Sequence, residues 1–176
     1  MNEPLPVVIA DTSALIAFFN QADTHHAAVR AGIAHAGHLV VSPCVLTEFD
    51  YLVATRQGPG PAAAALQYIA GRVAVGRWEV PGIGLLLLAA HEVLGDYPEI
   101  GLADAVNVVL AREFRTDVIA TLDRRHFRML RPMTKHDAFR LLPDDIPGTS
   151  HGPGKVDVRA YVTPLGSSVP LCRFWA

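Results

Sequence analysis

The stretch VVIADTS, Val7 to Ser13, decides how the chain is read. Its four apolar residues, bounded upstream by Pro4 and Pro6, predict a short buried strand. Asp11 stands where that strand ends, and Thr12 and Ser13 lead into an apolar pattern of helical period. In an open α/β sheet the functional crevice lies outside the carboxyl ends of the strands, so a carboxylate here is placed for chemistry. Asp, Thr and Ser are also the residues preferred at a helix start. Taken alone, the stretch favours a helix cap.

Thr116 to Asp123, TDVIATLD, repeats the same logic. Val118, Ile119 and Ala120 form a second buried strand with Asp123 at its carboxyl end, and Thr121 offers a hydroxyl on the same side as Asp123. Arg124, Arg125, His126, Arg128, Arg131, Lys135, His136 and Arg140 follow, the only dense basic cluster in the chain. With a net charge of -2, the chain does not bind nucleic acid through overall charge, so any such role needs this local patch or bridging metal ions. A basic run is ordinarily a solvated face or a set of partners for nearby acids. Next to an acidic site it is also a phosphate-contacting surface.

Two more acids lie on predicted helices. His38 to Ser42 reads as a strand closed by Pro43, and CVLTEFDYLVATR then keeps a helical period with Val45, Phe49, Leu52 and Val53 on one face. Glu48 borders that stripe, where an acid is costly unless paired, hydrogen-bonded or metal-bound. Snorkelling outward, or pairing with Arg56, accounts for it equally well. The turn YPEIG, Tyr97 to Gly101, feeds LADAVNVVLAREF, which places Asp104 in a first helical turn. The helix dipole favours a negative charge there. This helix is apolar nearly all round, which predicts burial and makes an idle acid at its inner end expensive.

The remaining segments frame these four. Ala14 to Phe19 continues as a short helix, Asn20 to Thr24 as a turn, and His25 and His26 open an Ala-rich helix to about Ala34 as a solvated helix start. Gln57 to Pro61 reads as a Gly/Pro loop without the Lys-Ser/Thr ending of a phosphate-binding loop. Ala62 to Val75 is a helix with Leu66, Ile69 and Val73 inward, Trp78 to Val80 a short strand, and Gly84 to Leu94 an apolar helix with His91 and Glu92 as its polar edge. Ala138 to Leu142 is the last strand, ended by Pro143. Alternation of strand and helix implies an α/β fold with a parallel sheet. At 176 residues, 51% hydrophobic and 18% charged, the chain is expected to form one compact domain, 1–145, and a C-terminal extension, 146–176. The Pro/Gly/Ser-rich run Asp144 to Gly154 has the composition of a linker, and two short strands are conceivable beyond it. Cys44 and Cys172 exclude a disulfide scaffold or a cysteine zinc site. No signal peptide is evident, and Leu85 to Ala90 is too short to span a bilayer, so a cytoplasmic protein is expected.

If the strands are parallel, Asp11, Glu48, Asp104 and Asp123 converge on one edge of the sheet. Crowded carboxylates repel one another and raise their pKa values unless a cation neutralises them. An all-oxygen set calls for Mg²⁺ or Mn²⁺. The chemistry it suits is hydrolysis of a phosphodiester by metal-activated water.

In order and spacing, ADTS, LTEFDYL, IGLADAVNVVLA and ATLDRRHF resemble the PIN domain, and within it the VapC toxins of bacterial toxin-antitoxin pairs. The similarity runs from about Val7 to Pro143. It implies a three-layer α/β/α sandwich around a mostly parallel sheet and a Mg²⁺-dependent endoribonuclease, with Mn²⁺ as a substitute. It also implies a homodimer and a cognate VapB antitoxin whose C-terminal segment lies across the active site. Carried over by position, Asp11, Glu48, Asp104 and Asp123 form the acidic metal-binding quartet, and Thr12 or Ser13, together with Thr121, supply supporting hydroxyls. Arg124, Arg125 and Arg128 are the expected RNA contacts. Nothing carries over to the chain beyond about Ile146. A haloacid dehalogenase-type phosphatase wants a second Asp two residues after the first, where this chain has Ser13, and a receiver domain wants a Lys. A PIN-like module that binds RNA or protein without cutting is the other alternative, and the presence of all four acids argues against it.

Overall fold

A computed structural model describes residues 5–145. The apolar run ahead of Asp11 becomes strand β1, Leu5–Ala10, and helix α1, Thr12–Phe19, follows it directly. Then come α2 (His26–His35), β2 (Ala36–Val41), α3 (Pro43–Gln57), α4 (Pro59–Ala74) and β3 (Trp78–Glu79). A 3₁₀ turn, Gly84–Leu86, leads into α5 (Leu87–Asp96), followed by α6 (Leu102–Glu113), β4 (Val118–Ala120), α7 (Arg124–Met129) and β5 (Arg140–Leu142). The five strands form one sheet in the order β3-β2-β1-β4-β5. Every pairing is parallel.

Alternation along the strands builds two cores. Val8 and Ala10 of β1, Leu39 and Val41 of β2, Val118 and Ala120 of β4 and Leu142 of β5 pack with residues of α1 to α4. The intervening Ile9, Val40, Ile119 and Leu141 pack with α5, α6 and Phe127 of α7. A strand with period 2 sends successive side chains to opposite faces, so a sheet apolar at every position has to be covered on both. The result is the expected three-layer α/β/α sandwich. In α6 every residue from Ala105 to Ala111 is buried. On the first face Phe18, Phe19, Tyr68 and Trp78 form an aromatic group with ring centroids 5.1–5.9 Å apart.

Several segments differ from their sequence reading. The loop predicted over Gln57 to Pro61 shrinks to a single residue, Gly58, because α4 already starts at Pro59. Proline lacks only an N–H that a first helical turn leaves unpaired, so Pro59 and Pro61 are compatible with that start. The inward stripe of α4 is Ala62, Ala65 and Ile69, whereas Leu66 and Val73 are 46% and 38% exposed. Small alanines let α4 lie close along α3, and that rotation turns the bulkier residues outward. Leu85 and Leu88 are largely exposed, so high hydropathy around α5 does not translate into burial there. His91 and Glu92 do form an exposed edge. His26 is half-buried, with Nδ1 2.9 Å from the Ala17 carbonyl oxygen, so it ties α2 back to α1 instead of standing in solvent. Among the described residues no helix is long and apolar enough to cross a membrane. The expected linker beyond Asp145, the extension 146–176 with its two short strands, and Cys172 lie outside the described residues.

Gly58 serves as both the end of α3 and the start of α4, with φ 95° and ψ 172°, a conformation essentially reserved for glycine. A Cβ at this position meets nothing within 4 Å. Gly58→Ala is therefore expected to destabilise the fold by about 1–3 kcal/mol through the backbone alone. Urea denaturation measures it, and an unchanged midpoint would contradict the assignment.

Candidate active site

From β1 the chain moves outward through β2 and β3, then returns to the opposite side of β1 to lay down β4 and β5. The carboxyl ends of β1 and β4 are thus the topological switch point of the sheet, the place where open α/β sheets form their crevice. The backbone pairing extends one residue past each strand. Asp11 N–H donates to the Ala120 carbonyl at 2.9 Å, and Thr121 N–H to the Leu142 carbonyl at 3.0 Å. Asp11 and Thr121 are thereby locked side by side at the crevice.

Their side chains interlock. Thr121 Oγ1 donates to Asp11 Oδ2 at 2.8 Å, and Ser13 Oγ donates to the same oxygen at 2.7 Å. In return Ser13 Oγ accepts from Leu122 N–H at 2.9 Å and Thr121 Oγ1 accepts from Asp123 N–H at 2.9 Å. Among the described residues Asp11 Oδ1 receives no hydrogen bond. Asp11 occupies the N-cap position of α1 without a side-chain capping bond. The expected cap from Asp11, Thr12 or Ser13 is therefore not formed, because all three side chains are drawn into the site. Thr121 was expected beside Asp123, yet its hydroxyl proton goes to Asp11 and only its lone pair serves the Asp123 backbone.

Glu48 rides on α3, whose start is fixed by Pro43 and by Ser42 Oγ accepting from Val45 N–H at 3.1 Å. The residue is exposed, and its Oε2 accepts from Thr12 Oγ1 at 2.7 Å. It does not pair with Arg56 among the described residues. Thr12, buried and next to Asp11 in the chain, thus connects the fourth acid to the other three. An open hollow of about 570 Å³ bordered by Pro43, Cys44, Thr47, Glu48 and Tyr51 adjoins this carboxylate.

Asp104 projects from the first turn of α6 with its side chain 16% exposed. Burial pushes its carboxyl up to about 6, and nearby Asp11 adds to the shift. His126 and the Gly101 backbone oppose it, while Asp123 adds a smaller upward push. Asp11 and Asp123 are therefore close enough to Asp104 to act on it electrostatically. Asp123 caps α7, its Oδ1 accepting from His126 N–H at 3.1 Å. The cap folds the His126 ring back, so that Nδ1 lies 3.1 Å from Asp123 Oδ2 and 3.3 Å from Asp104 Oδ2. The sequence reading placed His126 in the basic cluster and missed this contact. Its spacing, three residues after an Asp at a helix start, is the signal that could have found it.

Among the described residues, no three His, Cys, Asp or Glu side chains stand as a ready-made metal cage. The donor set nevertheless fits a hard divalent cation. Mg²⁺ keeps several waters and binds through one or two carboxylates together with substrate phosphates, so a closed protein cage is not required. The raised pKa of Asp104 comes first from burial and second from the neighbouring Asp11 carboxylate, and a bound cation would oppose both.

The basic cluster divides in two. Arg124 forms a forked pair with Asp144, and Arg128 does the same with Asp145 at 2.7 and 2.6 Å. Arg140 holds the buried Asp117 at 2.6 and 2.8 Å, at the amino end of β4 and so away from the crevice. Arg125 is exposed and forms no ion pair among the described residues.

The PIN domain family model matches residues 8–131. Ribonuclease VapC26 of Mycobacterium tuberculosis (strain ATCC 25618 / H37Rv) is 48% identical over 130 residues, which span 72% of this chain and 93% of the relative. Among solved structures, the VapC20 toxin of Mycobacterium tuberculosis, which cleaves the sarcin-ricin loop, superposes with a TM-score of 0.58 at 22% identity. That match covers 67% of this chain and 91% of VapC20. VapBC2 of Rickettsia felis, bound to a DNA fragment from its promoter, gives a TM-score of 0.55 at 13% identity, over 77% and 98% of the two chains. These two likenesses speak to the fold, and the family model and VapC26 set aside the dehalogenase and receiver alternatives. The chain belongs to the PIN domain family, in its VapC branch.

Proposed function

We propose that this protein is a divalent-metal-dependent endoribonuclease, the toxin of a VapBC-type pair, with Asp11, Glu48, Asp104 and Asp123 as its metal-holding acids. The observation that carries the reading is the placement of Asp11 and Asp123 close enough to Asp104 to act on its carboxyl, at the β1/β4 switch point. The 48% identity to a protein named as a ribonuclease supports RNA as the substrate. Mg²⁺ suits the donors, and Mn²⁺ substitutes for it. Bound there, such an ion would polarise the scissile phosphoryl group, acidify a water and stabilise the leaving oxygen. The chain's own task is to hold the acids in place: Ser13 and Thr121 fix Asp11 by one oxygen, Thr12 orients Glu48, and α6 presents Asp104 from a buried base. Arg125 is free to meet a phosphate. Arg124 and Arg128 are engaged by Asp144 and Asp145, and each has to exchange an aspartate for a phosphate before it can contribute. A cognate antitoxin, and a homodimer of this chain, complete the proposal.

RNA cleavage with Mg²⁺, with EDTA, and with Asp11→Asn and Asp104→Asn is the direct test. Both variants and the chelated protein are expected to lose about 100-fold or more of the activity. Full activity in EDTA would overturn the metal assignment, and a wild-type protein that binds RNA without cutting it would point to a binding module.

Asp104 also predicts how the metal-free protein responds to pH. A carboxyl whose folded pKa is about 6 against an ordinary 3.8 binds more protons in the folded state between these values. Stability is then greatest below about pH 4 as far as this group is concerned, and it declines as pH rises through about 6. Asp104→Asn should stabilise the metal-free protein by about 1–2 kcal/mol at pH 7 and flatten that slope. Thermal melts in chelator at pH 5 and pH 7 measure both, and a variant less stable than wild type at pH 7 would contradict the assigned shift.

Arg125→Ala is expected to weaken RNA binding at every sequence and to lower the salt slope by about one. Arg128→Ala should do less, because its guanidinium is already committed to Asp145. Equal effects in a salt titration would refute that distinction.

A further inference from the structure

Asp144 and Asp145 lie on the rim of the crevice but outside the set of four acids. Parallel pairing of β4 with β5 brings the carboxyl end of β5 to the same edge of the sheet as Asp11 and Thr121. Helix α7 starts at that edge, directly after the capping Asp123, and its Arg124 and Arg128 stand one turn apart, about 6 Å along the axis. Each guanidinium meets a carboxylate as a two-point fork. Arg124 Nε and Nη2 donate to the two oxygens of Asp144, and Arg128 Nη1 and Nη2 to the two oxygens of Asp145. The hydrogen bonds to Asp145 raise the Arg128 pKa from its ordinary value, the charge of Asp144 adds to the rise and Arg124 opposes it, so the two pairs form one cluster of four charges.

In each pair the aspartate is the less exposed partner, with side chains 19% and 27% exposed against 59% and 46% for Arg124 and Arg128. Asp145 is also anchored: its Oδ2 accepts from Leu141 N–H at 2.7 Å, and its own N–H donates to the Leu141 carbonyl at 2.8 Å. The arginines are therefore the parts free to move, and exposed ion pairs of this kind hold weakly. An arginine fork fits a carboxylate and a phosphate alike, with two parallel N–H donors on two oxygens. Consecutive carboxylates on forks one helical turn apart thus take the places of two neighbouring phosphates along a strand.

We propose that Asp144 and Asp145 fill, from within the chain, a two-phosphate site made by Arg124 and Arg128, and that their competition sets how tightly RNA is held beside the acids. This rests on RNA being the ligand of the crevice, as proposed above, and adds two residues that oppose its binding. A strand gains the two forks only by drawing the arginines off, and the aspartates left behind repel the incoming phosphates. Neutral residues at 144 and 145 remove both costs.

The experiment measures binding of a labelled single-stranded RNA to the full chain in chelator across a salt series, with Mg²⁺-dependent cleavage by the wild type followed alongside. The double variant Asp144→Asn/Asp145→Asn is expected to bind about tenfold tighter at low salt, with a salt slope steeper by about one. Asparagine keeps an acceptor oxygen for Leu141 N–H, and Asp144→Asn alone, which leaves the backbone bonds of Asp145 untouched, should tighten binding about threefold. In an Arg124→Ala/Arg128→Ala background the same aspartate changes should alter affinity by less than about twofold. Tightening that survives loss of the arginines would be a general effect of surface charge and would overturn the competition. Unchanged affinity in both aspartate variants would overturn it too, and would reduce the pairs to ties that hold the end of β5. If the wild type cleaves RNA in either of those cases, the nuclease reading stands without the competitor. A wild type that neither binds nor cleaves RNA would overturn both.

Discussion

The hydrogen bond from Asp11 N–H to the Ala120 carbonyl is the constraint on which the site depends. It continues the parallel β1·β4 pairing one step beyond the strands, at the only place in the sheet where neighbouring strands have connections leaving in opposite directions. Because β1 and β4 are central, their register is specified by apolar residues on both faces, and a one-residue slip would exchange the two cores. The position of Asp11 against Thr121 is thus fixed by the burial of the apolar strand residues just before them. Once set, the two side chains have little freedom, and Ser13 closes the group by bridging Asp11 to the Leu122 backbone.

Around that rigid base the fold accepts an electrostatic penalty. A carboxyl pushed to about 6 is one that the folded state holds less well as an ion than water does. Helix α6 shares in this, since a chain segment buried from Ala105 to Ala111 begins with the acid that gains least from burial. The same segment contains Asn107, fully buried with neither amide atom hydrogen-bonded among the described residues. A desolvated acid and an unpaired amide thus share the one helix whose residues are buried from Ala105 to Ala111. Apolar burial along the rest of α6 is what makes that tolerable.

How much of this is visible in the sequence follows from the range of the forces involved. β1, β4 and α6 are readable because each is a continuous apolar run with an acid near one end, a pattern set by burial and therefore local in the chain. Asp11, Asp104 and Asp123 follow from those elements and from the parallel topology, and Glu48 from the apolar stripe of α3. The α3–α4 junction is not readable, because Gly and Pro signal a break without giving its length, and only the packing of Ala62 and Ala65 decides that one residue suffices. The facing of Leu66 and Val73 is lost for a related reason, since a helix with two possible apolar stripes is oriented by its neighbours. The hydroxyl network escapes as well. Thr121 could serve Asp123 or Asp11, and the choice is made by strand pairing across 110 residues of sequence.

The basic cluster shows most plainly what a charge pattern leaves undetermined. Eight residues within Arg124 to Arg140 look alike as letters, but their partners separate them. Arg140 stabilises a buried Asp117 at the far end of β4, Arg124 and Arg128 are forked onto Asp144 and Asp145, and Arg125 is left to solvent. His126 goes the other way altogether, turned by the Asp123 cap toward the acids. A helix of six residues thus distributes consecutive side chains among an ion pair, open solvent and the candidate metal site, because adjacent positions on a helix face about 100° apart. Function along this stretch is assigned by helical phase, and the phase is set by a single capping aspartate.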